Sequence, residues 1–240
     1  MAKPKTLEEI GPFEGFSPKT TAFFRDLARH NNRDWFEGHR EIYDQHVLAP
    51  AKSFIMALGA RLKPLVPGLA AIPRVDKSIF RIHKDTRFSL DPAPYKTNLG
   101  LYFWESDLPR LETAGFYVHL EPPDLMLGAG MYIIPKTLLE RFRRAVTAPK
   151  SGRDLTKILD AARSRPGWEI GGEHYKRIPA GYDAAHPNAA LLKHNGLWIG
   201  RETKIPDEFY SARFVDYCVE AFTPLIPFHR WLVALAARKI

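Results

Sequence analysis

The chain has 240 residues, a formal charge of +8 and 45% hydrophobic residues, enough to bury one substantial core and too apolar to be a disordered arm. No stretch approaches the roughly 20 uncharged apolar residues that cross a bilayer, and no apolar run follows the lysines of the first residues. Neither membrane anchor nor secretory signal is expected, and a cytoplasmic location follows. The single cysteine, Cys218, excludes an intrachain disulfide and a cysteine-based zinc site, and the basic residues are scattered, so charge alone does not favour nucleic acid.

Ser17 followed by Pro18 joins a capping residue to a preset first-turn residue, and Phe23, Phe24, Leu27 and Ala28 form an apolar stripe that Asn31-Asn32 ends. Asn32 caps a second helix with Trp35, Phe36 and Tyr43 on its buried side. Pro50 opens a third with Phe54, Leu58 and Leu62, ended by Pro64, Pro67 and Gly68. From Ser78 to Ile134 the period turns to two, predicting strands near 78–85, 98–105, 115–121 and 126–134, with connections too short for crossover helices. After Pro135 two helical patterns return, KTLLERFRRAV and RDLTKILDAARS. A polar stretch over 167–200 then separates them from the last helices, where Cys218 reads as an inert buried thiol beside Val215, Val219 and Phe222. The predicted class is α+β: a central, mostly antiparallel sheet packed by helices on one face, with N-terminal and C-terminal helical segments. Residues 12–240 form one domain behind a flexible 1–11.

The chemistry gathers in residues 81–97, RIHKDTRFSLDPAPYKT. Alternation from Ile79 sets Phe80 and Ile82 on one face and Arg81, His83 and Asp85 on the other. The strand at 115–121 divides Phe116, Val118 and Leu120 from Tyr117, His119 and Glu121, and the strand at 98–105 divides Leu99, Leu101 and Phe103 from Tyr102 and Trp104. In the next strand Gly128, Gly130 and Tyr132 share a side on which missing side chains leave space. If these strands are neighbours, the second face is a polar, aromatic ligand floor. Arg81, Lys84, Arg87 and Lys96 surround Asp85, which stays ionised among them, while Phe88 and Tyr95 pin the loop by packing.

The expected ligand is a small anionic molecule held by Arg81, Arg87, Tyr95, Lys96, Tyr117 and Tyr132, with Asp85, His119 and Glu121 available for proton transfer. Three other readings compete. The same cations, with Tyr102, Trp104 and Tyr132 as stacking surfaces, would make a nucleic-acid module, a less favoured partner. The arginines and Asp85 would equally make a salt-bridge network that braces the loop without catalysis. His83, Asp85, His119 and Glu121 form two H-x-[DE] pairs open to a metal, although isolated strand histidines are more often hydrogen-bonded than ligating. No P-loop, G-x-G-x-x-G or G-x-S-x-G pattern occurs, and no cofactor is implied. GAGMY at 128–132 reads as a close backbone approach, and KRIPAGYDAAHP at 176–187 as a loop able to cover the site. Oligomeric state is not legible.

With Arg81, Lys84, Asp85, Arg87, Phe88, Asp91 and Tyr95 in this order, the chain resembles the Domain of Unknown Function 2461 family of bacterial and fungal proteins. Further matches are Asn31 to Phe36, Tyr117 and His119 with Glu121-Pro122, Gly128 to Tyr132, Lys176 to Pro179, Gly181-Tyr182 and His186-Pro187. The resemblance covers roughly residues 12–230. It departs from the family pattern where Lys84 stands for the usual arginine, which loses the planar fork, and where Pro92 stands for the usual lysine. The resemblance implies a single domain and a site around 81–97; it implies no reaction.

Overall fold

A computed structural model describes residues 10–85, 92–105 and 110–237. Four helical segments open the chain: α1 (Pro18–Arg29), α2 (Arg33–Gly38), α3 (Arg40–Tyr43) and, after a π-helical stretch at Asp44–Leu48, α4 (Ala49–Leu62). The strands are β1 (Leu69–Ala70), β2 (Leu99–Glu105), β3 (Gly115–Glu121) and β4 (Asp124–Met131). Then come α5 (Lys136–Thr147), α6 (Pro149–Arg163), β5 (Trp168–Glu173), β6 (His194–Lys204), α7 (Phe214–Phe222) and α8 (Ile226–Ala237). The six strands form one antiparallel sheet in the order β1-β2-β3-β4-β6-β5, and the class is α+β. Among the described residues no helix is long and apolar enough to cross a membrane.

The described residues divide into two compact units. The first draws on Met1–Phe103, Tyr117–Met126 and Thr203–Glu220. Its helices start close to where the sequence predicts them, but Thr20 accepts the Ser17 amide at 3.2 Å while the Ser17 hydroxyl makes no capping bond, and the predicted second helix with Trp35, Phe36 and Tyr43 is divided between α2 and α3. The Asn32 side chain accepts the Trp35 amide at 2.9 Å and caps α2, and Phe23, Phe24 and Leu27 of α1 are buried as one stripe. The interior is largely aromatic: Phe16 stacks on Phe209 with ring centres 4.7 Å apart, and Phe54 on Phe214 at 5.0 Å. Cys218 lies fully buried in α7, and burial pushes its thiol well above the ordinary range, as expected of an inert thiol.

The second unit draws on Trp104–Phe116, Leu127–Glu202 and Ala221–Ile240. Helices α5 and α8 meet through Phe142 and Trp231, whose indole N–H donates to the Ser151 carbonyl at 3.1 Å. The predicted polar stretch over 167–200 is in fact the home of β5 and most of β6. Glycines hide both strands from a period-two reading, and Gly171, Gly172 and Gly196 stand where a Cβ would not fit. A Cβ on Gly171 would run into the Trp198 ring, its cross-strand partner, and one on Gly172 (φ +110°) into the Gly196 backbone.

Two further expectations change. Residues 78–85 are not a regular strand: only Ile79 bridges β2, at Leu101, and the chain bends at Ile82. Alternation therefore lapses, so that Ile79 is fully buried while Phe80 turns to the rings of Tyr102 and Tyr117. The space beside Gly128 and Gly130 is not open either. The β6 backbone at Ile199 and Leu197 fills it, a close approach of the kind GAGMY suggests.

Candidate functional site: a phenol, imidazole and carboxylate chain beside an arginine-lined cleft

Of residues 81–97 the structure describes 81–85 and 92–97, which belong to the first unit. The Tyr102 amide donates to the Ser78 carbonyl at 2.8 Å and the Phe80 amide to Gly100 at 3.0 Å, so the segment starts alongside β2. It then pairs with its own far end: the Lys96 amide donates to Ile82 at 2.7 Å, the Lys84 amide to Pro94 at 2.8 Å, and His83 bridges Tyr95. Arg81, His83 and Asp85 are exposed along this ladder. Lys96 is half-buried with its ammonium 5.7 Å from the centre of the Phe80 ring. Arg87, with Phe88 and Asp91, lies outside the described residues.

Tyr95 is held on three sides. Its ring is buried and stacked on Phe36 with centres 4.2 Å apart. Its backbone is bracketed by the Asn31 side chain, which donates to the Tyr95 carbonyl at 2.9 Å and accepts the Tyr95 amide at 3.1 Å. An amide side chain thus pairs with Tyr95 as a neighbouring strand would. The expectation that Tyr95 pins its loop is met, and its ring is turned to Phe36.

Strand β3 carries three of the candidate side chains. Alternation places Tyr117, His119 and Glu121 on one face, and their side chains join in a chain. The Tyr117 hydroxyl lies 2.9 Å from His119 Nδ1, His119 Nε2 lies 3.3 Å from Glu121 Oε2, and the Thr97 hydroxyl donates to Glu121 Oε1 at 3.0 Å. One neutral tautomer satisfies every link: the phenol donates to Nδ1, and Nε2–H donates to the carboxylate. Burial, aided by the Glu121 charge, pushes the Tyr117 phenol up to about 12, so it remains a proton donor at neutral pH. The phenol lies over Gly100, where a Cβ would come within 2.7 Å of its oxygen and 3.1 Å of Phe80.

At its exposed end the chain reaches a cleft of about 260 Å³ lined by Phe24, Arg25, Ala28 and Arg29 of α1 and by Thr97, Glu121 and Pro122. Arg25 is exposed, and Arg29 makes only a loose surface pair with Asp26 at 3.7 Å. The cleft therefore offers a carboxylate and a hydroxyl on one wall and two guanidinium groups on the other. Sequence reading misses Thr97, Gly100, Arg25 and Arg29. Nothing in a helical arginine pair distinguishes it from a solvated face, and Asn31 reads as a helix stop.

The remaining candidates lie elsewhere. Tyr132 belongs to the second unit and is 81% exposed; Tyr102 and Trp104 are buried, which removes them as stacking surfaces. Among the described residues no group of three or more His, Cys, Asp and Glu side chains is arranged to hold a metal ion. The loop with KRIPAGYDAAHP rests on α5 of its own unit, Tyr182 donating to Glu140 at 2.9 Å. No curated protein matches this sequence. Residues 19–231 match the family described as "Conserved hypothetical protein (DUF2461)", which spans both units and every element from α1 to α8, and the chain belongs to that family.

Proposed function

We propose that the protein binds a small anionic molecule in the cleft beside α1 and that Glu121, His119 and Tyr117 exchange a proton with it. The observation that carries this reading is the continuous hydrogen-bonded chain from the Tyr117 phenol through His119 to Glu121, ending on a wall that faces Arg25 and Arg29. In such a chain Glu121 touches the ligand and takes a proton, His119 compensates the change of charge, and Tyr117 fixes the imidazole orientation. Arg25 and Arg29 hold the anionic group, and Thr97 keeps one carboxylate oxygen in place. Lys96 and Arg81 add positive potential along the neighbouring edge. Asp85, exposed beyond the His83–Tyr95 bridge, has a weaker claim to the proton-transfer role than Glu121.

The bracing reading of the motif is supported at one point, the Asn31 and Phe36 hold on Tyr95. It accounts for the far end of residues 81–97 and not for the chain on β3.

Imidazole NMR resonances of the full-length protein test the proposal, with His119→Gln identifying the His119 signal. Titration with inorganic phosphate and with succinate should shift that signal saturably, and Arg25→Ala with Arg29→Ala should weaken the effect at least about tenfold, the loss of roughly one charge-assisted contact. Absence of any saturable shift with either anion would sink the reading.

A further inference from the structure

The second unit carries a surface of another kind. Tyr132, 81% exposed, follows β4, and Tyr175, 36% exposed, follows β5. The two flank one short stretch of backbone. The Ile134 amide donates to Asn195 at 2.6 Å on one side, and the His174 and Tyr175 amides donate to the Lys193 carbonyl at 3.0 and 2.8 Å on the other. Gly196 lies directly beneath the Tyr132 carbonyl, where no Cβ would fit. Strand pairing thus brings the backbones that carry the two exposed rings to either side of residues 193–196.

Cations lie beside Tyr175. Arg143 of α5 lies 5.6 Å from the centre of the Tyr175 ring, and its Nε is buried with no acceptor. Arg144 is exposed one residue on, and Lys176 and Arg177 are exposed directly after Tyr175. Of the neighbouring carboxylates, Glu140 is engaged by Tyr182 at 2.9 Å and by Arg144 at 3.3 Å, and Glu173 by Lys193 at 3.3 Å. The exposed heads of Arg144, Lys176 and Arg177 are open to an incoming phosphate oxygen.

We propose that this surface binds single-stranded nucleic acid, with Tyr132 and Tyr175 stacking on bases and Arg144, Lys176 and Arg177 meeting the phosphates. Exposed tyrosine rings are what separates this ligand from others of the same charge. A free phosphate has no use for them, and a duplex keeps its base faces covered, whereas unpaired bases present a flat face to each ring. None of these residues lines the cleft beside α1, so the outcome here does not depend on whether that cleft binds an anion.

Fluorescence anisotropy of a labelled oligothymidylate of about twenty nucleotides, with the full-length protein, tests the proposal. Binding should weaken with salt, its logarithmic slope losing about 0.7 for each phosphate contact removed in Lys176→Ala with Arg177→Ala. Tyr132→Ala, at a position too exposed to disturb folding, should weaken binding by about tenfold, and the Tyr132→Ala, Tyr175→Ala pair by more. A duplex of the same length should bind more weakly. No binding, equal affinity for the duplex, or affinity indifferent to both tyrosine substitutions would overturn the proposal.

Discussion

A single missing side chain organises the candidate site. Because Gly100 has no Cβ, the Tyr117 ring lies across β2 and brings its hydroxyl to His119, while Phe80 meets the same ring edge-on with centres 5.8 Å apart. Gly100→Ala forces the phenol and Phe80 to move together, since both stand within ordinary contact distance of the new methyl group. The expected cost is about 1–3 kcal/mol, the usual range for overpacking, with a lowered urea midpoint and a displaced His119 imidazole signal. Gly38→Ala, at a helical position where a Cβ meets nothing within 4 Å, is the matching control and should leave stability equal or up to about 1 kcal/mol higher. If Gly100→Ala behaves like Gly38→Ala, the phenol does not depend on the glycine. None of this is legible in sequence, where Gly100 is one residue in a strand pattern and its partner is seventeen positions away.

At the scale of elements, what could be read depended on how local its cause is. The stripes of α1 and α4 and the cap of α2 are set within a few residues, and the sequence places them well. Strands β5 and β6 escape a sequence reading because Gly171, Gly172 and Gly196 answer to tertiary approach and dilute the alternation by which strands are recognised. The segment at 78–85 was overcalled for the opposite reason: its alternation is real, yet the bend at Ile82 and the return pairing with 94–96 break the ladder. Asn31 belongs with these long-range cases. Its bracket on Tyr95, sixty-four residues on, ties the end of α1 to the arm that carries Thr97. Asn31→Ala removes both bonds and should cost about 1–3 kcal/mol. Asn31→Asp should cost nearly as much, because a carboxylate accepts the Tyr95 amide but has no N–H for the Tyr95 carbonyl. Hydrogen exchange at the amides of residues 95–97 reports the result directly; unchanged protection in both variants would show that the Phe36 stack holds the arm alone.

For the whole molecule, the buried titratable groups differ in kind between the two units. The first holds Tyr43 and Tyr117, each pushed up to about 12, with burial the leading cause. The second holds His194 and His229, both lowered chiefly by burial, the latter with Nε2 3.1 Å from Glu105 and its ring stacked on Phe116. The signs follow from linkage. A tyrosine with a raised folded pKa stabilises fully below its unfolded value near 10, and that contribution is lost as pH rises to about 12, on the order of 2–3 kcal/mol each. A histidine with a lowered folded pKa stabilises above its unfolded value near 6.5, and its contribution is lost as pH falls below it, because the unfolded chain then binds the proton more readily. Tyr117→Phe should therefore be less stable than the wild type at neutral pH by about 1 kcal/mol, the loss of one hydrogen bond, and should draw level or overtake it between pH 10 and 12. His229→Gln should flatten the acid limb and leave the alkaline limb unchanged. Four of the five tryptophans, Trp104, Trp168, Trp198 and Trp231, lie in the second unit, so their fluorescence follows that unit while circular dichroism follows both. Acid titration should move the fluorescence signal no later than the dichroism. The reverse order, or an acid limb untouched by His229→Gln, would place the acid-sensitive groups outside the second unit.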